Sequence, residues 1–242
     1  MRSFQPVQPL KFPARLLGGI TTGCVVAFAV LAGLVASHWP VLRAGDQAVD
    51  AAAHGEVLRQ HWLLVAARTA TAMGNPVVLD VVAAVAVAVL LVKRWRGAVV
   101  VALARVGELV CESVVKVLIA RPRPALVHPV ALASGYSFPS GHAGGSAAVY
   151  GALVLVVFAG VARWARLMLA TGTALLIGAV AVSRVLLGVH YPSDVAAGLA
   201  LGLAWASGAT LVTNLPRRTL PPDCGLPSIC RAKAGGTNDH RS

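Results

Sequence analysis

Long apolar runs recur along the chain with short polar stretches between them, and this pattern predicts a series of membrane-length helices. About 20 apolar residues are needed to cross a bilayer core. Six runs approach or meet that length: Leu16–Ala36, Pro76–Val92, Ala98–Ile119, His142–Ala159, Leu167–Leu187 and Val195–Leu215. A seventh, Glu56–Met73, is weaker. Arg59, His61 and Arg68 interrupt it, so an interfacial or partly inserted helix is expected there. Gly74-Asn75-Pro76 then breaks the chain. The expected fold class is all-α, a polytopic membrane bundle of six transmembrane helices over residues 16–215. A tail of residues 1–15 precedes it. A tail of residues 216–242, rich in Pro, Gly and polar residues, follows it and is expected to be disordered. No internal repeat is evident.

Composition agrees. Of 242 residues, 57% are hydrophobic and 12% charged, and the mean hydropathy is +0.75, which places the chain among membrane proteins. The apolar mass is mostly Ala, Val, Leu and Gly, which suits close helix packing in lipid. The net charge of +12 does not point to nucleic acid, because the basic residues flank apolar runs instead of covering a soluble face. Their distribution gives the topology. With the N-terminus in the cytoplasm, Arg2, Lys11 and Arg15, then Lys93, Arg94 and Arg96, then Arg163 and Arg166, then Arg217, Arg218, Arg231, Lys233 and Arg241 share one side. These are more than half of the chain's 21 Lys and Arg residues, and that side is cytoplasmic. Trp95 and Trp164 mark the inner interface, and Trp39 and Trp62 the outer one.

The run from Leu16 is longer than the apolar region of a signal peptide, about 7–15 residues, and reads as an uncleaved first span. Cys24 and Cys111 fall in apolar runs and read as packing residues. Cys224 and Cys230 lie in the C-terminal tail at a spacing that fits no common zinc pattern.

The topology leaves the loops at 120–141 and 188–194 on the extracytoplasmic side, at the membrane edge, and both carry unexpected chemistry. KVLIARPRP holds Lys116, Arg121 and Arg123. Alone, it reads equally as cations snorkelling from a helix end. SFPSGHAGGS places Ser140 as a cap for the next helix, with Gly141 and His142 beside its amides. That makes either an ordinary cap or an anion site. SRVLLGVHYPSD holds Arg184, His190 and Asp194. An aspartate within reach of the imidazole would fix its tautomer and raise its basicity. Together, four cations, two helix starts, two histidines and one carboxylate at three helix ends describe a site for a dense anion such as phosphate. The cations disfavour zinc at these histidines, and no second carboxylate cluster is present for magnesium, so no metal and no cofactor is expected.

These motifs in this order, Lys116 to Arg123-Pro124, Pro139-Ser140-Gly141-His142, and Ser183-Arg184 with His190 and Asp194, resemble the three-part signature of the type 2 phosphatidic acid phosphatase family. That family includes bacterial undecaprenyl-pyrophosphate and phosphatidylglycerophosphate phosphatases, and its pocket is shared with soluble vanadium haloperoxidases. The resemblance implies a metal-independent phosphatase that works through phosphohistidine. It makes His190 the nucleophile, Asp194 its orienting carboxylate and His142 the acid for the leaving group. It makes Lys116, Arg123, Ser140, Gly141 and Arg184 the phosphate ligands. Arg121 lies outside the signature and is expected as an auxiliary rim charge.

One feature is not part of the signature. Arg105, Glu108, Glu112 and Lys116 share one face of the third run. Charges at such depth should face the bundle and pair. Arg105 with Glu108 and Glu112 with Lys116 are the expected pairs, with Glu112 holding the Lys116 ammonium. The alternative is polarity that serves packing alone.

The expected activity is hydrolysis of a membrane lipid phosphate, first choice polyprenyl or undecaprenyl pyrophosphate, with phosphatidylglycerophosphate and phosphatidic acid as alternatives. The expected setting is the plasma membrane, with both termini cytoplasmic. The partners are the substrate lipid and the bilayer, not nucleic acid. A lipid phosphotransferase is the rival enzyme, and an inert scaffold or transporter the rival outside enzymes.

Overall fold

The structure, a computed structural model, describes residues 13–125, 130, 131, 133–158 and 160–214. The expectations for the N-terminal tail before Pro13 and for residues 215–242, including Cys224 and Cys230, lie outside the described residues. Eight helices run in the order α1 (Ala14–Ala36), α2 (Pro40–Arg59), α3 (His61–Met73), α4 (Pro76–Lys93), α5 (Trp95–Ile119), α6 (Gly141–Phe158), α7 (Arg163–Leu186) and α8 (Pro192–Asn214). Several starts are written locally. Pro40 and Pro76 open α2 and α4, where a missing N–H costs nothing. The Asn75 side chain accepts the Val77 N–H at 2.9 Å and caps α4. α5 stops where Ala120 turns left-handed, after which Pro122 and Pro124 keep the chain from resuming a helix.

Among the described residues the chain is all-helical, as expected, but the number of spans is a finer matter. Four helices are long and apolar enough to cross a membrane: α1, α6, α7 and α8. The pair α3 and α4, bent by 41° at Gly74-Asn75, makes a fifth if taken as one span. α5 has the length, at 25 residues. Its Arg105, Glu108, Glu112 and Lys116 set it apart from an ordinary apolar span. The weak segment Glu56–Met73 is not one helix. It breaks at Gln60, its first residues ending α2 and the rest forming α3.

α6 and α8 form the buried centre, and α1 and α7 lie outside them. Close approach explains the small residues of both central helices. A Cβ on Gly202 would overlap the Gly144 carbonyl oxygen and lie 2.8 Å from the Ala147 Cβ and 2.9 Å from the Ala148 nitrogen. A Cβ on Gly198 would overlap the Ser140 carbonyl oxygen. Spaced four apart on α8, the two glycines let the backbones touch, as small residues do at helix crossings in lipid. The apolar core beside this seam joins Leu79, Val100, Val101, Ala104, Val149, Val156 and Ala209. Polar bonds add to it. The Thr21 and Ser207 hydroxyls meet at 2.8 Å between α1 and α8, and the Tyr150 hydroxyl donates to the Met73 carbonyl at 2.7 Å.

Candidate active site

Four helix ends meet at one end of the bundle: the C-terminal ends of α5 and α7 and the starts of α6 and α8. The chain leaving α5 and the turn 187–191 complete the wall. Lys116, Arg123, Arg184 and His190 all lie close enough to act electrostatically on His142. The three sequence clusters therefore form one site, and each predicted residue within it has a definite place.

His190 is 2% exposed. Its Nδ1 lies 2.8 Å from the Ser137 carbonyl oxygen, and its Nε2 lies 3.1 Å from Arg123 Nη1. The carbonyl can only accept and the guanidinium can only donate, so the proton belongs on Nδ1 and the lone pair on Nε2. Asp194 was expected to hold that proton itself. Its Oδ2 is 3.7 Å from Nδ1, beyond hydrogen-bond reach. Asp194 instead accepts from the Ser137 hydroxyl, from the Tyr191 N–H at 3.0 Å and from Arg121 Nη1 at 2.5 Å. It reaches the imidazole only by way of Ser137, whose carbonyl faces Nδ1. Nor is the imidazole more basic than usual. Burial, helped by the charges of Arg123 and Arg184, outweighs the pull of Asp194 and pushes it down to about 4.

The cations divide into two kinds. Lys116 pairs with Glu112 at 2.9 Å, as expected, and Arg105 pairs with Glu108 at 3.0 Å. Arg121 is not a rim charge. Its side chain is 11% exposed and bridges Asp194 to Asp46 of α2 at 2.7 Å, with its guanidinium over the Tyr191 ring. Arg123 and Arg184, by contrast, have no carboxylate partner among the described residues. Arg123 donates to the Val189, Ser134 and Gly135 carbonyls, which ties the loop before α6 to the turn before α8. Arg184 donates to Thr71 of α3, while its buried Nε has no partner. These two unbalanced cations both act on His190, so the site carries an unmet demand for an anion.

Ser140 and Gly141 differ from the expectation in detail. The Ser140 hydroxyl does not cap α6; it is buried without a hydrogen-bond partner among the described residues. The Ser140 N–H donates to the Asp194 carbonyl at 3.0 Å, which joins the starts of α6 and α8. A Cβ on Gly141 would overlap the Glu112 carboxylate, so glycine there admits the group that holds Lys116. Deeper in the bundle, Arg105 also reaches Asp80 of α4 at 2.7 Å, and Glu108 lies against Gly144.

Sequence reasoning missed Asp46, Ser137, Thr71 and Ser193. Asp46 accepts from the Ser193 N–H at 3.0 Å and from the Ser193 hydroxyl at 2.5 Å. It belongs to a buried row, Asp46, Asp50 and His54, on one face of α2. Burial pushes the Asp50 carboxyl up, and neither His54 ring nitrogen has a hydrogen-bond partner among the described residues. The spacing of four was a legible signal. Ser137 and Thr71 had none, since one works partly through its backbone and the other from a distant helix.

Comparison with known proteins agrees with this geometry. The model of the PAP2 superfamily matches residues 96–218. The decaprenylphosphoryl-5-phosphoribose phosphatase of Mycobacterium tuberculosis is 32% identical over 169 residues, 65% of this chain and 85% of that protein. The phosphatidylglycerophosphatase B of Bacillus subtilis is 29% identical over 183 residues, 73% of this chain and 86% of that one. The crystal structure of a transmembrane PAP2-type phosphatidylglycerolphosphate phosphatase from Bacillus subtilis superposes with a TM-score of 0.69 at 26% identity, over 78% of this chain and 93% of its own. The family model covers the whole signature, the same residues that the fold gathers at one end of the bundle, and the chain belongs to the PAP2 superfamily as a membrane phosphatase.

Proposed function

We propose that this protein hydrolyses a lipid-linked phosphate or pyrophosphate monoester, with a polyprenyl lipid as first choice, through a phosphohistidine on His190. One observation carries the reading: the buried Nε2 of His190 faces Arg123, and both Arg123 and Arg184, which act on it, have no carboxylate partner among the described residues. In the step proposed, Nε2 attacks phosphorus and the bond from phosphorus to the leaving oxygen breaks. His142 gives that oxygen a proton, then takes one from the water that cleaves the phosphohistidine. Lys116, Arg123 and Arg184, with the Ser140 hydroxyl and the Gly141 amide, meet the phosphate oxygens and the charge that grows on them. Fixed cations do here the electrostatic work that metals do elsewhere.

The polyprenyl preference draws on the relative named for a decaprenylphosphoryl sugar. The relative named for phosphatidylglycerophosphate supports the alternative. The six-span reading counts α1, α4, α5, α6, α7 and α8, with α3 interfacial or partly inserted beside α4, as one domain over residues 16–215. It puts both termini in the cytoplasm and the site outside. The positions of Arg15, Arg94, Arg96, Arg163 and Arg166, at helix ends remote in sequence from the site, support it.

Two measurements test the proposal. Phosphate release by purified protein is expected to be most efficient on polyprenyl pyrophosphate and polyprenyl-linked phosphosugar, slower on phosphatidylglycerophosphate and phosphatidic acid, and unaffected by EDTA. A requirement for added divalent metal sinks the mechanism, and faster turnover of the glycerol lipids sinks the preference. The second is pH. His190 is nucleophilic only when unprotonated, and its ionisation is pushed down to about 4. The acid limb of kcat/KM that reports protonation of His190 should therefore lie near pH 4, well below the range near 6.5 where an ordinary imidazole would place it.

A further inference from the structure

We propose that Asp46 of α2 is a positioning residue for His190, acting through Arg121, Asp194 and Ser137. This rests on the site reading above and extends it to a helix outside the matched residues 96–218.

The path consists of short contacts between buried groups. Asp46 Oδ2 accepts from Arg121 Nη2 at 2.7 Å. Arg121 Nη1 donates to Asp194 Oδ1 at 2.5 Å. The Ser137 hydroxyl donates to the other oxygen of Asp194. The Ser137 carbonyl accepts the Nδ1 proton of His190 at 2.8 Å. A shift of Asp194 would thus be passed to Ser137, and a shift of Ser137 would turn the imidazole.

Asp46 is placed to prevent that shift. It is 4% exposed and takes donors from two sides of the site, Arg121 after α5 and Ser193 in the first turn of α8. Ser193 neighbours Asp194, so one carboxylate grips both the arginine that binds Asp194 and the backbone that carries it. The planar guanidinium serves two carboxylates at once because its fork has fixed geometry; an ammonium has none. Without Asp46, Arg121 Nη2 loses its partner; Nη1 keeps Asp194 and the Ser193 hydroxyl at 2.7 Å and the guanidinium keeps the Tyr191 ring, but the fork is no longer held at both ends.

The test uses the full-length protein in detergent, with polyprenyl pyrophosphate as substrate. Asp46→Asn keeps the size and removes the charge. Its kcat is expected to fall on the order of tenfold to a hundredfold, the scale for a misplaced reacting group, with KM little changed. Thermal unfolding should show a folded protein. The decisive measurement is a double-mutant cycle with Arg121→Met. If Asp46 acts through Arg121, its loss adds little once Arg121 is gone, whereas an unrelated structural role adds in full. Wild-type kcat in Asp46→Asn, or full additivity, overturns the proposal. If Asp46→Asn does not accumulate, Asp46→Glu carries the same test, since it keeps the charge and displaces it by one methylene: reduced kcat supports the path, and wild-type kcat overturns it. His190→Ala run alongside separates the two readings. If it stays active, the site reading itself fails; if it is inactive while Asp46→Asn matches wild type, only the positioning role fails.

Discussion

His190→Ala is expected to abolish phosphate release, lowering kcat by at least about a thousandfold, the scale seen when a nucleophile is removed. The substitution takes away the lone pair that the Ser137 carbonyl and Arg123 hold in place. The other histidine of the site is no substitute. The His142 ring makes no hydrogen bond among the described residues, so nothing fixes its tautomer or aims a lone pair. The fold should survive, because the helix ends around His190 are joined by other bonds. Arg123 still ties the Ser134 and Gly135 carbonyls to Val189, and Asp194 still joins Ser137, Tyr191 and Arg121. Anion binding should survive as well, since Arg123 and Arg184 remain without carboxylates. The informative pair of measurements is therefore turnover and binding of inorganic phosphate. The expected result is a dead enzyme that still binds phosphate, shown by a thermal shift on addition of the ion. A variant that keeps turning over lipid phosphate removes the assignment.

The second large effect concerns the frame. Gly202→Val is expected to destabilise the protein by several kcal/mol and to remove activity with it. Even one Cβ at this position overlaps the Gly144 carbonyl oxygen and crowds Ala147 and Ala148. The obstacle is α6 backbone, which cannot rotate away as a side chain would. Overpacking in cores costs about 1–3 kcal/mol, occasionally more, and a branched side chain against backbone belongs at the upper end. The two helices must separate, and they carry the two halves of the site: Ser140, Gly141 and His142 open α6, while Asp194 lies in the first turn of α8. The Ser140 N–H bond to the Asp194 carbonyl spans the same seam. Gly202→Ala should lie between wild type and valine. Thermal unfolding in detergent beside phosphate release checks this, and a valine variant with wild-type melting temperature contradicts the packing account.

Much of the site was legible because its residues lie at helix ends, and helix ends are marked by proline, glycine and breaks in apolar runs. Lys116, Arg123, His142, Arg184 and His190 are brought together as their motifs implied. The paired charges of α5 were also readable, from spacing alone. The polar row of α2 was there to read in its spacing of four but was passed over, and the reason is an inverted pattern. Its buried face carries Asp46, Asp50 and His54, while Val41, Val49 and Leu58 are exposed. A search for apolar stripes finds the wrong face of such a helix. Arg121 was misjudged for the same reason, since its partner sits on α2. The role of Ser137 was invisible because it is played partly by a carbonyl oxygen, which every residue has. Span counting had its own limit: Arg105, Glu108, Glu112 and Lys116 keep α5 from passing as an apolar span, whatever its length.

Those charges bear on how the protein is made. At mid-bilayer each ionised side chain disfavours insertion by about 2.5–3.5 kcal/mol, so α5 emerging alone from the ribosome is a poor candidate for lipid. Its Arg105 finds Asp80 on α4, which has already been synthesised, but the bay that receives Glu108 is formed by Gly144 and Gly145 of α6, which has not. α5 is therefore expected to wait beside the translocon until α6 arrives and to enter the membrane with it. Ribosome-stalled chains ending before and after α6 would differ in whether α5 is shielded from aqueous labelling. The partner of Arg105 is thus made before it, and the cover for Glu108 only after it.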